Sequence, residues 1–145
     1  MGFLIDTNVW SELQKGDRAD PNVRRWFDAI VPEDIFLSVM VVAEVRRGIE
    51  RLRRRDPEQA HRLEERLHRL QSAMSKRILP IDLRVADRWG RINVPDPLPV
   101  IDGLLAATAL EHGLILVTRN VRDVERSGES LLNPFEIAKK PKDPE

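Results

Sequence analysis

Three carboxylates stand in stretches where a carboxylate is costly. Asp6 ends the apolar run Phe3-Leu4-Ile5, Glu44 follows Val39-Met40-Val41-Val42-Ala43, and Asp102 lies near the start of segment 100–110, which is apolar on nearly every side. Carboxylates are seldom buried unless paired or bound to a metal. Three brought together without cations repel, and their pKa values rise. A divalent ion of the magnesium or manganese kind, which takes hard oxygen ligands, resolves that conflict. Taken singly, each has a plainer use. Asp6-Thr7-Asn8 can turn the chain and cap a helix beginning near Val9. Glu44 can pair with Arg46, Arg47 or another arginine, and Asp102 can favour its helix N-terminus through the dipole. Taken jointly, with Asp6 and Asn120 both following apolar runs, the metal reading is preferred.

The elements that must position these residues follow from the apolar pattern. Phe3-Leu4-Ile5, Ile35-Phe36-Leu37-Ser38, Ile78-Leu79-Pro80-Ile81 and Leu114-Ile115-Leu116-Val117-Thr118 read as short buried strands, and Leu131-Leu132-Asn133-Pro134 as a short last one. Between them fall helical patterns. A short helix or turn covers 11–16. Asp20 caps a helix opening at Pro21, with Val23, Trp26, Phe27 and Ile30 on one face. A helix over 39–55 starts buried and ends solvated. Asp56-Pro57 opens another, striped by Ala60, Leu63, Leu67, Leu70 and Met74 at spacings of three and four. These two pack as an antiparallel hairpin. Asp82 caps a helix carrying Val85, Ala86, Trp89 and Ile92, and Pro95-Asp96-Pro97-Leu98-Pro99 is a rigid connector to the apolar helix that Gly113 terminates. Strands alternating with helices predict an α/β fold with a mainly parallel sheet, so Asp6 and Asn120 share its carboxyl edge and Asp102 comes near it.

At 145 residues the chain suits one domain, placed over 1–138 with a frayed tail at 139–145. The absence of cysteine excludes disulfides, thiolate zinc sites and a cysteine nucleophile. His61, His68 and His112 match no ligand spacing and read as surface residues. The start carries an acid at position 6 and no basic segment, unlike a signal peptide, and no apolar run approaches membrane-spanning length; the expectation is a soluble cytoplasmic protein. Net charge is zero, so no global field draws in nucleic acid. Local charge differs: between Arg46 and Arg77, eleven basic residues face five acidic ones. This is either a solvated face with pairs such as Glu58–Arg62 and Glu65–Arg69, or a phosphate-binding surface. Charge alone favours the first.

Four segments then occur in a known order: Leu4-Ile5-Asp6-Thr7-Asn8, Val42-Ala43-Glu44-Val45-Arg46-Arg47-Gly48, Ile101-Asp102-Gly103-Leu104-Leu105-Ala106-Ala107-Thr108-Ala109 and Leu116-Val117-Thr118-Arg119-Asn120-Val121-Arg122-Asp123. Over residues 3 to about 135 the sequence resembles PIN-domain nucleases, and within them VapC-type toxins of the FitB-like branch, whose ending Leu132-Asn133-Pro134-Phe135 is similar. The resemblance implies a PIN-like three-layer α/β/α sandwich with a protruding helical hairpin. It implies a magnesium- or manganese-dependent endoribonuclease acting on tRNA, rRNA or mRNA, leaving a 5′-phosphate and a 3′-hydroxyl. Asp6, Glu44 and Asp102 take the catalytic metal-holding positions, with Asn120 at the fourth, where some relatives carry aspartate. Asp123 stands three residues on, and whether Asn120, Asp123 or neither touches the metal is open. Thr7, Asn8 and Thr118 would orient the ligands; Arg46, Arg47 and Arg119 would hold the RNA backbone. A homodimer and a small antitoxin lying across the hairpin are also implied. A PIN-fold processing nuclease without antitoxin and a catalytically silent binding module stay as alternatives. A haloacid dehalogenase-type phosphatase would need an aspartate where Asn8 stands.

Overall fold

The computed structural model describes residues 1–136. The expected tail at 139–145 and the last residues of the expected 1–138 domain lie outside that range. Five short strands, β1 (Phe3–Ile5), β2 (Ile35–Ser38), β3 (Ile78–Leu79), β4 (Ile115–Val117) and β5 (Leu131–Leu132), form one sheet in the order β3-β2-β1-β4-β5. Every pairing is parallel. Strands buried on both faces must be apolar throughout, and Leu4, Ile5, Leu37, Leu116 and Val117 are almost wholly buried. The register sets Ile5 beside Val117 and Val117 beside Leu132, so these three strands end level.

From β1 the chain moves outward through β2 to β3, then returns to lay β4 against the other side of β1. Strand order therefore reverses between β1 and β4, and in open parallel sheets the crevice beyond the carboxyl ends at such a reversal is where ligands sit. Asp6 and Thr118 are the first residues past the ends of these two strands.

Among the described residues seven α-helices flank the sheet: α1 (Thr7–Leu13), α2 (Pro21–Asp28), α3 (Val39–Arg53), α4 (Pro57–Ala73), α5 (Leu83–Ile92), α6 (Val100–His112) and α7 (Val121–Val124). Their starts are set by side-chain caps. Asp20 accepts from the N–H groups of Asn22 and Val23, Asp56 from Gln59, Asp82 from Val85, and Ser38 from Met40. The Ser38 cap explains why the valine-rich start of α3 is helical although its composition favours a strand. Helix α1 begins at Thr7 rather than near Val9, because Asp6 itself is its cap. Gly113 ends α6 at φ 62°, the left-handed conformation that glycine adopts without a Cβ clash.

The main core joins both sides of β1: Val9 of α1, Val41 of α3, and Leu105, Ala106 and Ala109 of α6 pack with the strands. Trp26 of α2 meets Phe3 edge to face with ring centroids 5.4 Å apart. A second cluster of Ile49, Ala60 and Leu67 holds α3 against α4. The expected ion pairs Glu58–Arg62 and Glu65–Arg69 do not form. Arg62 donates to Gln59, Glu65 lies 3.2 Å from His61, and Glu64 reaches across the hairpin to take both Arg46 and Arg53. Once α4 lies on α3, a guanidinium from the facing helix is a better partner for Glu64 than one on its own helix.

Candidate active site

Asp6 is the centre of the site and is 4% exposed. Its backbone N–H continues the ladder to the Val117 carbonyl at 2.9 Å, which fixes the carboxyl group beyond the strand end. Oδ1 accepts from the Thr7 N–H at 2.6 Å; Oδ2 accepts from the Thr118 hydroxyl at 2.7 Å and from Asn8 Nδ2 at 3.2 Å. The loop thus caps α1 and fixes a carboxylate at once, so the cap leaves Asp6 free to serve as a ligand as well. Burial pushes the Asp6 pKa up; the bonds from Thr118 and Thr7 pull it down, Glu44 raises it, and Asn8 lowers it, with the net shift upward.

Glu44 sits one turn into α3, half-buried, and its Oε1 accepts from the Thr7 hydroxyl at 2.6 Å. Thr7 therefore serves both acids, the main chain for Asp6 and the side chain for Glu44. Asp102 lies in the first turn of α6. Burial raises its pKa to about 6, helped by the charges of Asp6, Asp123 and Glu44 in that order. Asp102 thus feels the charges of three other acids, Asp123 of α7 among them.

Thr118 links the two strand ends. It donates to Asp6 and accepts from the Asn120 N–H at 3.0 Å. Asn120 caps α7 by its backbone without a side-chain capping bond. Of the two residues in question at the fourth position, Asp123 is the one whose charge acts on Asp102, while Asn120 acts on the site through its main chain. Asn8 bridges the same gap, accepting from the Arg119 N–H at 3.4 Å. The arginines are placed differently from one another. Arg46 is held by Glu64 and Glu50, Arg47 is exposed on α3, and Arg119 is exposed at the end of β4. The three histidines are exposed.

Among the described residues no three acids or histidines converge into a ready-made metal cage. The donor chemistry nonetheless fits a hard divalent cation. Asp6, Glu44 and Asp102 carry no ion pair to a basic side chain among the described residues; burial first, and then mutual repulsion, raises the pKa of Asp6 and of Asp102, and such an ion relieves both. Beside Thr7 and Glu44 opens a groove of about 380 Å³ running between α1 and the hairpin, floored by Trp10, Ile49, Leu52 and Leu67 and edged by Arg55 and Arg66. Two features escaped sequence reading, the Thr7–Glu44 bond and a stack of Arg119 on Phe135 with 4.4 Å between guanidinium carbon and ring centroid. Both join residues far apart in sequence, and no local pattern signals them.

The family model described as PIN domain matches residues 3–126. The sequence is 34% identical over 144 residues to VapC ribonuclease Y4jK of Sinorhizobium fredii, covering 94% of this chain and 99% of that protein. It is 34% identical over 141 residues to toxin FitB of Neisseria gonorrhoeae, covering 92% and 98%. The crystal structure of FitAcB from Neisseria gonorrhoeae superposes with a TM-score of 0.86 at 31% identity, covering 93% of this chain and 99% of that one.

Proposed function

The chain belongs to the PIN-domain family, and from that premise we propose a magnesium- or manganese-dependent endoribonuclease that serves as the toxin of a toxin–antitoxin pair. The observation that supports the reading is Asp6 at the strand-order reversal, bonded by Thr118 and sharing Thr7 with Glu44, while Asp102 feels the charges of Asp6, Asp123 and Glu44, with no ion pair to a basic side chain among the described residues. Asp6, Glu44 and Asp102 would hold the metal, with Asp123 rather than Asn120 as the fourth acid. When bound, the ion supplies positive charge that polarises the phosphoryl oxygens and acidifies a water.

The chain's own residues do the rest. Thr118 and Asn8 hold Oδ2 of Asp6, and Thr7 fixes Oδ1 of Asp6 and Oε1 of Glu44, so that neither acid must be ordered when substrate arrives. Exposed Arg47 and Arg119 offset the repulsion between the RNA backbone and the acids; Arg46, engaged by Glu64, serves the hairpin first. The products would carry a 5′-phosphate and a 3′-hydroxyl. The groove between α1 and the hairpin is the surface for a small antitoxin, its apolar floor matched to an amphipathic segment that ends at Glu44. We further propose a homodimer, a single domain over 1–138 and action in the cytoplasm; among the described residues no helix is long and apolar enough to cross a membrane.

Incubating purified protein with structured RNA tests the reading. Cleavage should require magnesium or manganese and be abolished by Asp6→Ala and Asp102→Asn. Full activity in EDTA, or in either variant, would overturn the metal mechanism. Growth arrest on expression, relieved by a small adjacent reading frame, separates a toxin from a processing enzyme that has no antitoxin.

A further inference from the structure

An anionic strand approaching Asp6, Glu44, Asp102 and Asp123 meets charges of its own sign, so the lip of the cleft needs a cation where phosphates pass. Arg46 and Arg53 are occupied by Glu64 and Glu50. Arg119 is not. It follows Thr118 directly, and its N–H donates to Asn8 Oδ1, the same asparagine whose amide donates to Asp6. Its guanidinium lies over the Phe135 ring, within cation–π range. Among the described residues no carboxylate lies at ion-pair distance from it, and Glu12, which feels its charge, is taken by Lys15 at 2.5 Å.

The ring beneath it is a fixed platform. The Phe135 N–H donates to Asn133 Oδ1 at 3.0 Å, and its carbonyl accepts from Asn22 Nδ2 at 3.0 Å. Its side chain packs against the main core. Arginine loses rotamer freedom when it grips an anion, and stacking beforehand shifts part of that loss from binding to folding. A guanidinium held over a ring still presents its N–H edge, which suits a phosphate.

We propose that Phe135 is a positioning residue that pre-stacks Arg119, and that Arg119 grips a phosphate of the RNA strand at the lip of the carboxylate cleft. The proposal rests on the ribonuclease reading and adds to it a residue outside the acidic cluster. Phe135 acts only through Arg119, so its contribution must vanish when the arginine is gone.

The test is fluorescence anisotropy of a short fluorescein-labelled single-stranded RNA of mixed sequence, titrated across a salt series with full-length Asp102→Asn protein so that the strand stays whole. Adding Arg119→Ala is expected to weaken binding about tenfold and to reduce the slope of log K against log salt by about 0.7, one phosphate contact on a single strand. Phe135→Leu keeps the charge, so it should weaken binding severalfold with the slope unchanged, and Phe135→Tyr should keep the original affinity. On the Arg119→Ala background, Phe135→Leu should add nothing. An unchanged slope after Arg119→Ala overturns the proposal, and so does a Phe135→Leu loss that persists in full without the arginine. If the native chain cuts RNA while Arg119→Ala binds it as tightly as before, this inference alone falls. If the native chain neither binds nor cuts RNA in magnesium, the ribonuclease reading falls with it.

Discussion

Thr118 is 1% exposed and takes part in two hydrogen bonds at once, its hydroxyl donating to Asp6 and accepting from the Asn120 N–H. Valine has nearly the same shape and can do neither. Thr118→Val removes the acceptor of the Asn120 N–H and leaves the buried Asp6 carboxylate short of a donor, and is expected to cost about 1–3 kcal/mol of stability in chemical denaturation. Its chemical effect has a definite sign. The Thr118 bond lowers the Asp6 pKa, so losing it raises that pKa further, and a metal ligand must be deprotonated. The acid limb of a pH–rate profile at fixed magnesium should therefore move to higher pH; a shift to lower pH would contradict the role given to Thr118. Glu129 offers a second residue-scale test, away from the site. Its Oε1 accepts from the Ser130 N–H at 2.8 Å, while Oε2 is buried with no partner among the described residues, and burial raises its pKa to about 7. A carboxyl that holds its proton more tightly folded than unfolded stabilises the fold below its unfolded pKa of 4.5, and that contribution is lost as pH rises through about 7. Glu129→Gln removes the dependence, so the variant should melt higher than the parent above pH 7 and lose that advantage towards pH 4.

At the scale of elements, the hairpin of α3 and α4 depends on a small cluster, and Leu67 within it is 2% exposed. Leu67→Ala is expected to cost about 2–5 kcal/mol, the range for a large-to-small change in a packed site. Because Leu67 also lines the groove beside Glu44, the substitution should weaken antitoxin binding in a pull-down while RNA cleavage by the folded fraction persists. The hairpin also marks how far sequence reading reaches. Its existence was legible from the Ala60, Leu63, Leu67 and Leu70 stripe, and its start from Asp56-Pro57, because a cap and a stripe are local physics. Its ion pairs were not. Which guanidinium meets Glu64 depends on how α4 is set on α3, and the distance from Arg46 to Glu64 along the chain carries no trace of that. The same division runs through the site. Asp6, Glu44 and Asp102 betrayed themselves as charges in apolar segments. Phe135 under Arg119 is an ordinary aromatic in an ordinary turn until the chain folds. In sequence Asn120 and Asp123 are alike in promise; folded, Asn120 is the backbone cap of α7 while the charge of Asp123 acts on Asp102.

Besides Asp6, the molecule sets two acids with raised pKa values, Asp102 and Glu129, at different places in one cooperative fold, and their responses to metal should differ. Asp102 sits among like charges at the carboxyl edge of the sheet; Glu129 precedes β5, at the opposite edge. In metal-free protein both act in the same direction. Asp102 stabilises the fold below its unfolded value of 3.8, and that contribution fades as pH rises through about 6; Glu129 follows between 4.5 and about 7. Metal-free Asp102→Asn should consequently melt above the parent near pH 7.5 and converge with it near pH 3.5. If Asp102 holds the proposed metal, magnesium should change the first window only. Binding requires the ionised acids, and an ion that binds the folded state alone stabilises it by about 2.7 kcal/mol at one hundred times its dissociation constant. The native chain should thus gain thermal stability with magnesium at pH 7.5 and little at pH 4, while Asp102→Asn gains less at either pH and the order of melting temperatures reverses. Glu129→Gln should retain the full magnesium response, since its carboxyl lies outside the cluster. Differential scanning fluorimetry of the three proteins over pH, with magnesium or EDTA, reads all of this in one experiment. Equal magnesium shifts in native and Asp102→Asn protein would remove Asp102 from the metal site.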